Sequence, residues 1–148
     1  MKKILAIILP LALIFQSCDK DDAELDGIDL STSIPPYVEL TSTAAKTVKQ
    51  GTSTTVSFQM RVAMQQAVTI TYNVTGAVTL TNQTVVIDRN KLTATATVAV
   101  PNNAIVAPAT SATATLTLVK AAKADGGLLT IGAKNEPATQ KVTINITP

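Results

Sequence analysis

Histidine and tryptophan are absent from this 148-residue sequence, and Cys18 is its only cysteine. Without histidine the chain has no Ser–His or Cys–His nucleophile pair and no zinc site built on imidazole. Carboxylates are also sparse after residue 30, where the acidic residues are Glu39, Asp88, Asp125 and Glu136. Their separation in the sequence gives no carboxylate pair of the kind that glycoside hydrolysis needs. We therefore expect no catalytic residues and no cofactor, and we predict that the protein is not an enzyme.

The first 17 residues have the organisation of a secretory signal. Lys2 and Lys3 form a positive n-region, residues 4–15 are apolar, and Ser17 precedes Cys18. The apolar run is shorter than the roughly 20 residues that span a bilayer, which disfavours a transmembrane anchor. The segment resembles bacterial lipoprotein signals more than ordinary cleaved ones. That resemblance implies that Cys18 is the first mature residue and carries the lipid, palmitate included, that anchors the protein to a membrane.

The four residues after the cysteine indicate the cellular location more closely. They are Asp19, Lys20, Asp21 and Asp22, and they resemble the lysine-then-acids export signal of surface lipoproteins in Bacteroidota. A solvated acidic spacer has the same composition and would equally suit a lipoprotein that faces the periplasm. We expect a lipid-anchored outer-membrane protein that is exposed on the cell surface.

Composition divides the mature chain into a tether and one domain. Residues 18–35 are acidic and hold few large apolar side chains, so they cannot bury enough surface to offset the entropy of ordering. Residues 36–148 have the size of a single sandwich domain. From Ser31 onward nine basic residues outnumber the four acidic ones. The basic residues are scattered along the chain, which argues against a nucleic-acid partner.

The body of the chain alternates apolar and polar residues with a period of two, which is typical of half-buried strands. The clearest series span residues 55–62, 68–75, 92–100, 112–118 and 142–146, and shorter strands are expected at 38–40, 78–80 and 85–87. In these series Val62 and Leu92 belong to the inward stripes. No long segment has helical period, and threonine favours strands over helices. Because each apolar face needs a second sheet to cover it, we predict an all-β fold: a single immunoglobulin-like, two-sheet antiparallel sandwich of seven or eight strands.

A family resemblance lies in three segments of this body: residues 68–76 (VTITYNVTG), 84–98 (TVVIDRNKLTATATV) and 114–119 (ATLTLV), with Ile131 and Gly132 further on. They resemble the Calx-beta family. The resemblance implies an immunoglobulin-like sandwich, and calcium-binding members of that family hold the ion with loop carboxylates. Where such members commonly have acids, this chain has Pro101, Asn102 and Asn103. We therefore expect no metal site.

Two connections are long enough to be more than turns, residues 101–110 and 121–138. The second is the candidate interaction loop, with Lys123, Asp125, Leu128, Leu129 and Lys134 as its candidate contact residues. The alternative, which we favour, is that Leu129 and Ile131 pair as a strand and pack on the core.

Two hypotheses of function follow from the address and the missing chemistry. The leading one is a non-enzymatic cell-surface lipoprotein whose sandwich makes protein-protein or adhesive contacts in an envelope assembly, with a protein partner in the outer membrane. The alternative is an accessory glycan-binding lipoprotein of a polysaccharide-uptake system. Ligand sites are commonly lined by aromatic rings, but the only tyrosines are Tyr37 and Tyr72, and Tyr72 lies on an inward stripe. Glycan binding is the weaker hypothesis for that reason.

Overall fold

The computed structural model describes residues 35–133 and 136–148, which fold almost entirely into strands. Their elements, in order, are β1 (Tyr37–Leu40), β2 (Lys46–Lys49), β3 (Ser53–Met60), β4 (Val68–Gly76), β5 (Leu80–Ile87), β6 (Thr93–Ala99), β7 (Ala112–Lys123), β8 (Leu128–Ile131), a 3-10 helix (Pro137–Gln140) and β9 (Lys141–Thr147). The predicted all-β class is confirmed. Within these residues, no helix is long and apolar enough to cross a membrane.

The strands form the two sheets of a sandwich, as predicted. The first sheet has the order β6–β3–β1–β8, and the second has the order β2–β9–β7–β4–β5. β8 also pairs with the end of β7, where Leu129 faces Ala121 and Leu128 faces Ala122. This short strand therefore joins the two sheets at one margin.

Two strand pairs are parallel, whereas the sequence predicts an antiparallel sandwich. β1 runs parallel to β8, and β2 runs parallel to β9. Residues 41–45 carry the chain from the first sheet to the second, so that β2 pairs with a strand distant in sequence and needs no hairpin. β2 brings the number of strands in the described residues to nine. It escapes prediction because it is four residues long and buries one side chain, Val48.

The core is built from the inward-facing side chains of both sheets. β4 shows the pattern most clearly, because Val68, Ile70, Tyr72 and Val74 are buried while the intervening polar side chains are not. Across the sandwich, the ring centroids of Phe58 and Tyr72 lie 5.7 Å apart. Full burial of one such apolar side chain contributes about 1.5–3 kcal/mol relative to exposure. A slip of one residue in any strand would turn its inward set to solvent, so the alternation fixes the register.

Two of the predicted strands are shorter than their alternation suggests. β3 ends at Met60 and β6 begins at Thr93, so Val62 and Leu92 lie outside the strands. They are 57% and 47% exposed, and their predicted inward placement is wrong. The two short strands expected at 78–80 and 85–87 are replaced by one continuous strand, β5.

Candidate functional site

The strand connections gather at two ends of the sandwich. We call one the turn end: it comprises the connections β3–β4 (residues 61–67), β5–β6 (88–92) and β7–β8 (124–127), together with Leu128, the first residue of β8. Backbone hydrogen bonds join these three connections. Asn90 N donates to Met64 O at 2.7 Å, and Ala124 N donates to Ala67 O at 3.1 Å. The β3–β4 connection therefore lies between the other two and holds them in place.

Asp125 is the centre of a polar clamp in the turn end. Its Oδ2 accepts a hydrogen bond from Gln66 Nε2 at 3.0 Å, and its backbone N donates to Gln66 Oε1 at 3.3 Å. Its Oδ1 accepts from Gly127 N at 2.8 Å, which closes the turn, and Lys123 Nζ lies 3.4 Å from Oδ2. The clamp ties the β7–β8 turn to the β3–β4 connection through side chains as well as backbone.

These contacts hold the pKa of Asp125 below its ordinary value, chiefly because Gln66 and then the Gly127 backbone donate to the charged form. The contacts to Gln66 and Gly127 hold the carboxylate in one orientation while leaving half of its side chain exposed. A surface ion pair such as Lys123–Asp125 contributes little by itself. The hydrogen bonds to Gln66 and Gly127 therefore define the clamp.

The candidate interaction loop is only in part a loop. β7 extends to Lys123, a turn of four residues follows, and β8 occupies Leu128–Ile131. Leu129 and Ile131 are half-buried and pack against the core, so the favoured strand forms. Leu128 points away from the core and is 67% exposed. Lys134 lies outside the described residues.

The turn end also carries exposed apolar and basic side chains. Val62, Leu92 and Leu128 are exposed there. Arg61, Arg89 and Lys91 are exposed in the same connections. Sequence reasoning named Leu128 as a contact residue but missed Val62 and Leu92. One feature of the sequence could have identified them. Leu92 continues the inward alternation of its strand, but it directly follows the polar run Arg89-Asn90-Lys91, which favours a turn over a strand.

The opposite end, which we call the loop end, comprises the connections β2–β3 (residues 50–52), β4–β5 (77–79) and β6–β7 (100–111). Backbone hydrogen bonds lace it together: Gln50 N donates to Thr147 O at 2.9 Å, and Gly51 N donates to Val100 O at 3.0 Å. None of its three connections carries a charged side chain.

The loop end contains the positions where the Calx-beta resemblance places calcium ligands. Asn102 packs its side-chain oxygen against Gly51, in the space that a Cβ at position 51 would occupy. Across residues 35–133 and 136–148, no group of three or more histidine, cysteine, aspartate or glutamate residues is placed to hold a metal ion. A hard cation that takes six to eight oxygen ligands would find amide and backbone oxygens there, without a carboxylate.

Aromatic side chains do not form an open platform in the part of the chain that the structure describes. Tyr72 is 5% exposed and Phe58 is fully buried, while Tyr37 is half-buried at the start of β1. Burial raises the pKa of Tyr72. Cys18 and the tetrapeptide Asp19, Lys20, Asp21 and Asp22 lie outside the described residues.

Comparison with solved structures identifies the architecture. The apo form of the Calx CBD1 domain superimposes with a TM-score of 0.56 at 7% sequence identity, over 77% of this chain and 97% of that domain. The fold is that of a Calx-beta domain. CBD12 from CALX1.2 superimposes with a TM-score of 0.53 at 8% identity, and the match covers 74% of this chain and 43% of that one. At these identities the likeness to Calx-beta domains establishes the fold alone. No family model and no curated protein matches the sequence.

Proposed function

We propose that this protein is a lipid-anchored lipoprotein of the cell surface whose Calx-beta-like sandwich binds a protein partner in an outer-membrane assembly, without enzymatic activity. The lipid on Cys18 is the anchor, residues 19–35 are the tether, and the turn end is the contact surface. The choice of the turn end as the contact surface rests on one observation. Val62, Leu92 and Leu128 are exposed there, beside connections that the Asp125 clamp holds in place.

Rigidity is what makes this surface suitable for binding. Ordering a loop or an interfacial side chain on association costs about 0.5–1.5 kcal/mol for each rotamer-rich side chain. The clamp supplies part of that order beforehand, because Gln66 and the Gly127 backbone fix the Asp125 carboxylate. Exposed apolar side chains beside Arg61, Arg89 and Lys91 suit a partner that offers an apolar patch with acidic residues around it.

The composition supports the non-enzymatic part of the proposal. The whole sequence has no histidine, and its one cysteine is the residue that the signal reserves for lipid. Of the four acidic residues in the domain, Asp125 is engaged with Gln66 and Glu39 accepts a hydrogen bond from Gln59 Nε2 at 2.8 Å. Glu39 lies in β1 and Asp125 in the β7–β8 turn, so the two carboxylates come from separate elements.

Lipidation of Cys18 and exposure on the cell surface are tested in intact cells, which are first labelled with an alkyne analogue of palmitate. Label should appear on the unsubstituted chain and be lost in Cys18→Ser. Protease shaving of the same cells should release the domain from the unsubstituted protein and spare a Lys20→Ala, Asp21→Ala, Asp22→Ala variant. Label that persists in Cys18→Ser, or unchanged shaving of the triple variant, would contradict this part of the proposal.

The contact is tested by co-purification of the lipidated protein from native membranes. Leu128→Asp places a charge on the exposed apolar side chain of the turn end, and Val106→Asp, at a residue that is 75% exposed in the loop end, is the matched control. The partner should be lost with Leu128→Asp and retained with Val106→Asp. Equal retention by both variants, or binding to a glycan array that depends on Tyr37, would contradict the proposal and favour the glycan-binding alternative.

A further inference from the structure

β6 lies at the margin of the first sheet and pairs with one neighbour, β3, in the described part of the chain. A marginal strand presents unpaired backbone groups, and proteins usually protect it with charges, proline, bulges or shortness. β6 has none of these: residues 93–99 read TATATVA, and the β3–β6 register is uninterrupted over seven pairs.

The two marginal strands of the second sheet, β2 and β5, are protected. β2 is four residues long and carries Lys46 and Lys49. β5 carries a register shift opposite Tyr72 and Val74, where Asn82 has a left-handed φ of 53° and its N–H donates to Asn73 Oδ1 at 2.7 Å. At the other margin of the first sheet, β8 is paired on both sides. β6 thus differs from every other marginal strand that the structure describes.

The pairing with β3 determines which backbone groups of β6 face outward. Met60 N donates to Leu92 O at 2.8 Å and Val100 N donates to Thr52 O at 2.8 Å, so the even-numbered residues of this segment are the ones that bond to β3. The N–H and C=O groups of the odd-numbered residues, Thr93, Thr95, Thr97 and Ala99, therefore point away from the sheet. Their side chains are exposed on its outer face.

From this geometry we infer that β6 pairs antiparallel with β6 of a second copy of the chain, about a two-fold axis at Ala96. Only the odd-numbered residues can exchange hydrogen bonds across such an edge, and this register pairs Thr95 with Thr97 of the second copy and Thr93 with Ala99 of the second copy. A two-fold contact uses the same patch on both copies and must be self-complementary. The segment is close to a palindrome about Ala96, which meets that requirement.

The side chains agree with this register on both faces. On the outer face Thr95 meets Thr97 of the second copy, a cross-strand pair that is favourable in antiparallel sheets, and Thr93 meets the small Ala99. On the inner face Ala96 meets its own copy and Ala94 meets Val98 of the second copy, so small apolar groups face one another. The nearest charge along the strand, Lys91, falls opposite Pro101 of the second copy, so no like charges are opposed.

The occupant is a second copy rather than a different protein because the complementarity resides within this one segment. The self-pairing is separate from the turn end, where the partner of the proposed function would bind. Failure of one does not entail failure of the other, since Leu128 and Thr95 lie in different strands.

The mass of the full chain in detergent micelles tests the inference by sedimentation velocity. The unsubstituted chain should shift from monomer to dimer as its concentration rises through the micromolar range. Thr95→Pro removes an outward N–H without removing a bond to β3, and Thr95→Lys adds a charge to the edge. Both should stay monomeric at concentrations where Thr69→Lys, a matched substitution on the exposed face of the internal strand β4, still forms dimers.

Disulfide formation tests the register. The Cα atoms of a hydrogen-bonded antiparallel pair are about 5.5 Å apart, a distance that a disulfide bridges. Chains carrying Thr95→Cys, mixed with chains carrying Thr97→Cys, should form a mixed disulfide. Chains carrying Thr95→Cys, mixed with chains carrying Thr55→Cys, should not, because Thr55 lies one strand further away in β3. The unsubstituted chain controls for disulfides that involve Cys18. A monomeric unsubstituted chain, a Thr95→Lys variant that dimerises normally, or cross-links at a different pair would overturn the inference.

Discussion

The connections at both ends of the sandwich close over the core, but different interactions hold them in place. At the turn end, side-chain hydrogen bonds centred on Asp125 tie the connections together, and charged and apolar side chains are exposed. At the loop end, backbone hydrogen bonds such as Gly51 N to Val100 O close connections that carry no charged side chain. The two ends thus differ in charge and in side-chain hydrogen bonding, and the turn end is the proposed contact surface.

Glycines of positive φ offer the sharpest test of this comparison, one at each end. Gly76 (φ 105°) enters the β4–β5 connection, and a Cβ there would lie 2.6 Å from the backbone oxygen of Thr113. Gly126 (φ 88°) lies in the β7–β8 turn, where a Cβ would meet nothing within 4 Å. Gly76→Ala combines backbone strain with a clash that no side chain can relieve, and should lower the free energy of unfolding by about 2–4 kcal/mol.

Gly126→Ala is the matched control and should cost about 1 kcal/mol, since strain alone remains and the unfolded chain loses some entropy. Thermal unfolding followed by circular dichroism measures both variants. Equal losses of stability would show that the loop end is not the more tightly packed of the two.

The Asp125 clamp predicts a smaller, pH-dependent effect at the turn end. The carboxylate has a lowered pKa in the folded protein, so its contribution to stability is complete above its unfolded pKa of about 3.9 and is lost as the pH falls through the folded value. Asp125→Asn should therefore lower the melting temperature slightly in the neutral region, where the carboxylate contributes, and flatten the acid side of the profile, so that the two profiles converge at low pH. Glu136→Asn provides a control at another exposed acid. Parallel acid profiles for Asp125→Asn and the unsubstituted chain would contradict the role of the clamp.

Calcium should have the smallest effect of all. A ligand that binds only the folded state raises its stability by RT ln(1 + [L]/Kd). Because the loop end offers Asn102 and Asn103 where carboxylates would be needed, millimolar calcium should leave the melting temperature unchanged relative to magnesium at the same ionic strength. A saturable rise with calcium alone would show that amide and backbone oxygens suffice, and the contrast between the ends would fail.

Much of the fold was predictable because burial follows a period of two. The alternation in β4 or β9 can bury its apolar set in one way, and two such faces require a sandwich. Strand ends were less predictable, since Val62 and Leu92 continue the alternation after pairing has stopped. The parallel pairs of β1 and β2 depend on contacts across the whole chain length, which local pattern does not encode.

The site was predictable in composition but not in geometry. Asp125 and Leu128 stand out in the sequence because they lie in a long connection with a turn signal. The partner of Asp125 is Gln66, 59 residues earlier, and nothing in the residues around Gln66 marks it as a clamp. A deletion of residues 124–135 would also remove β8 and its pairing with β1 and β7. Point substitutions at exposed residues are the appropriate test for that reason.

The most direct test of contact through the turn end is photo-cross-linking in intact cells. A photoreactive phenylalanine analogue is introduced separately at Leu128 in the turn end and at Val106 in the loop end, two exposed apolar positions of the lipidated chain. The account predicts that Leu128 yields one specific adduct with an envelope protein, and that Val106 yields none. Adducts of equal intensity from both positions, or an adduct from Val106 alone, would contradict it.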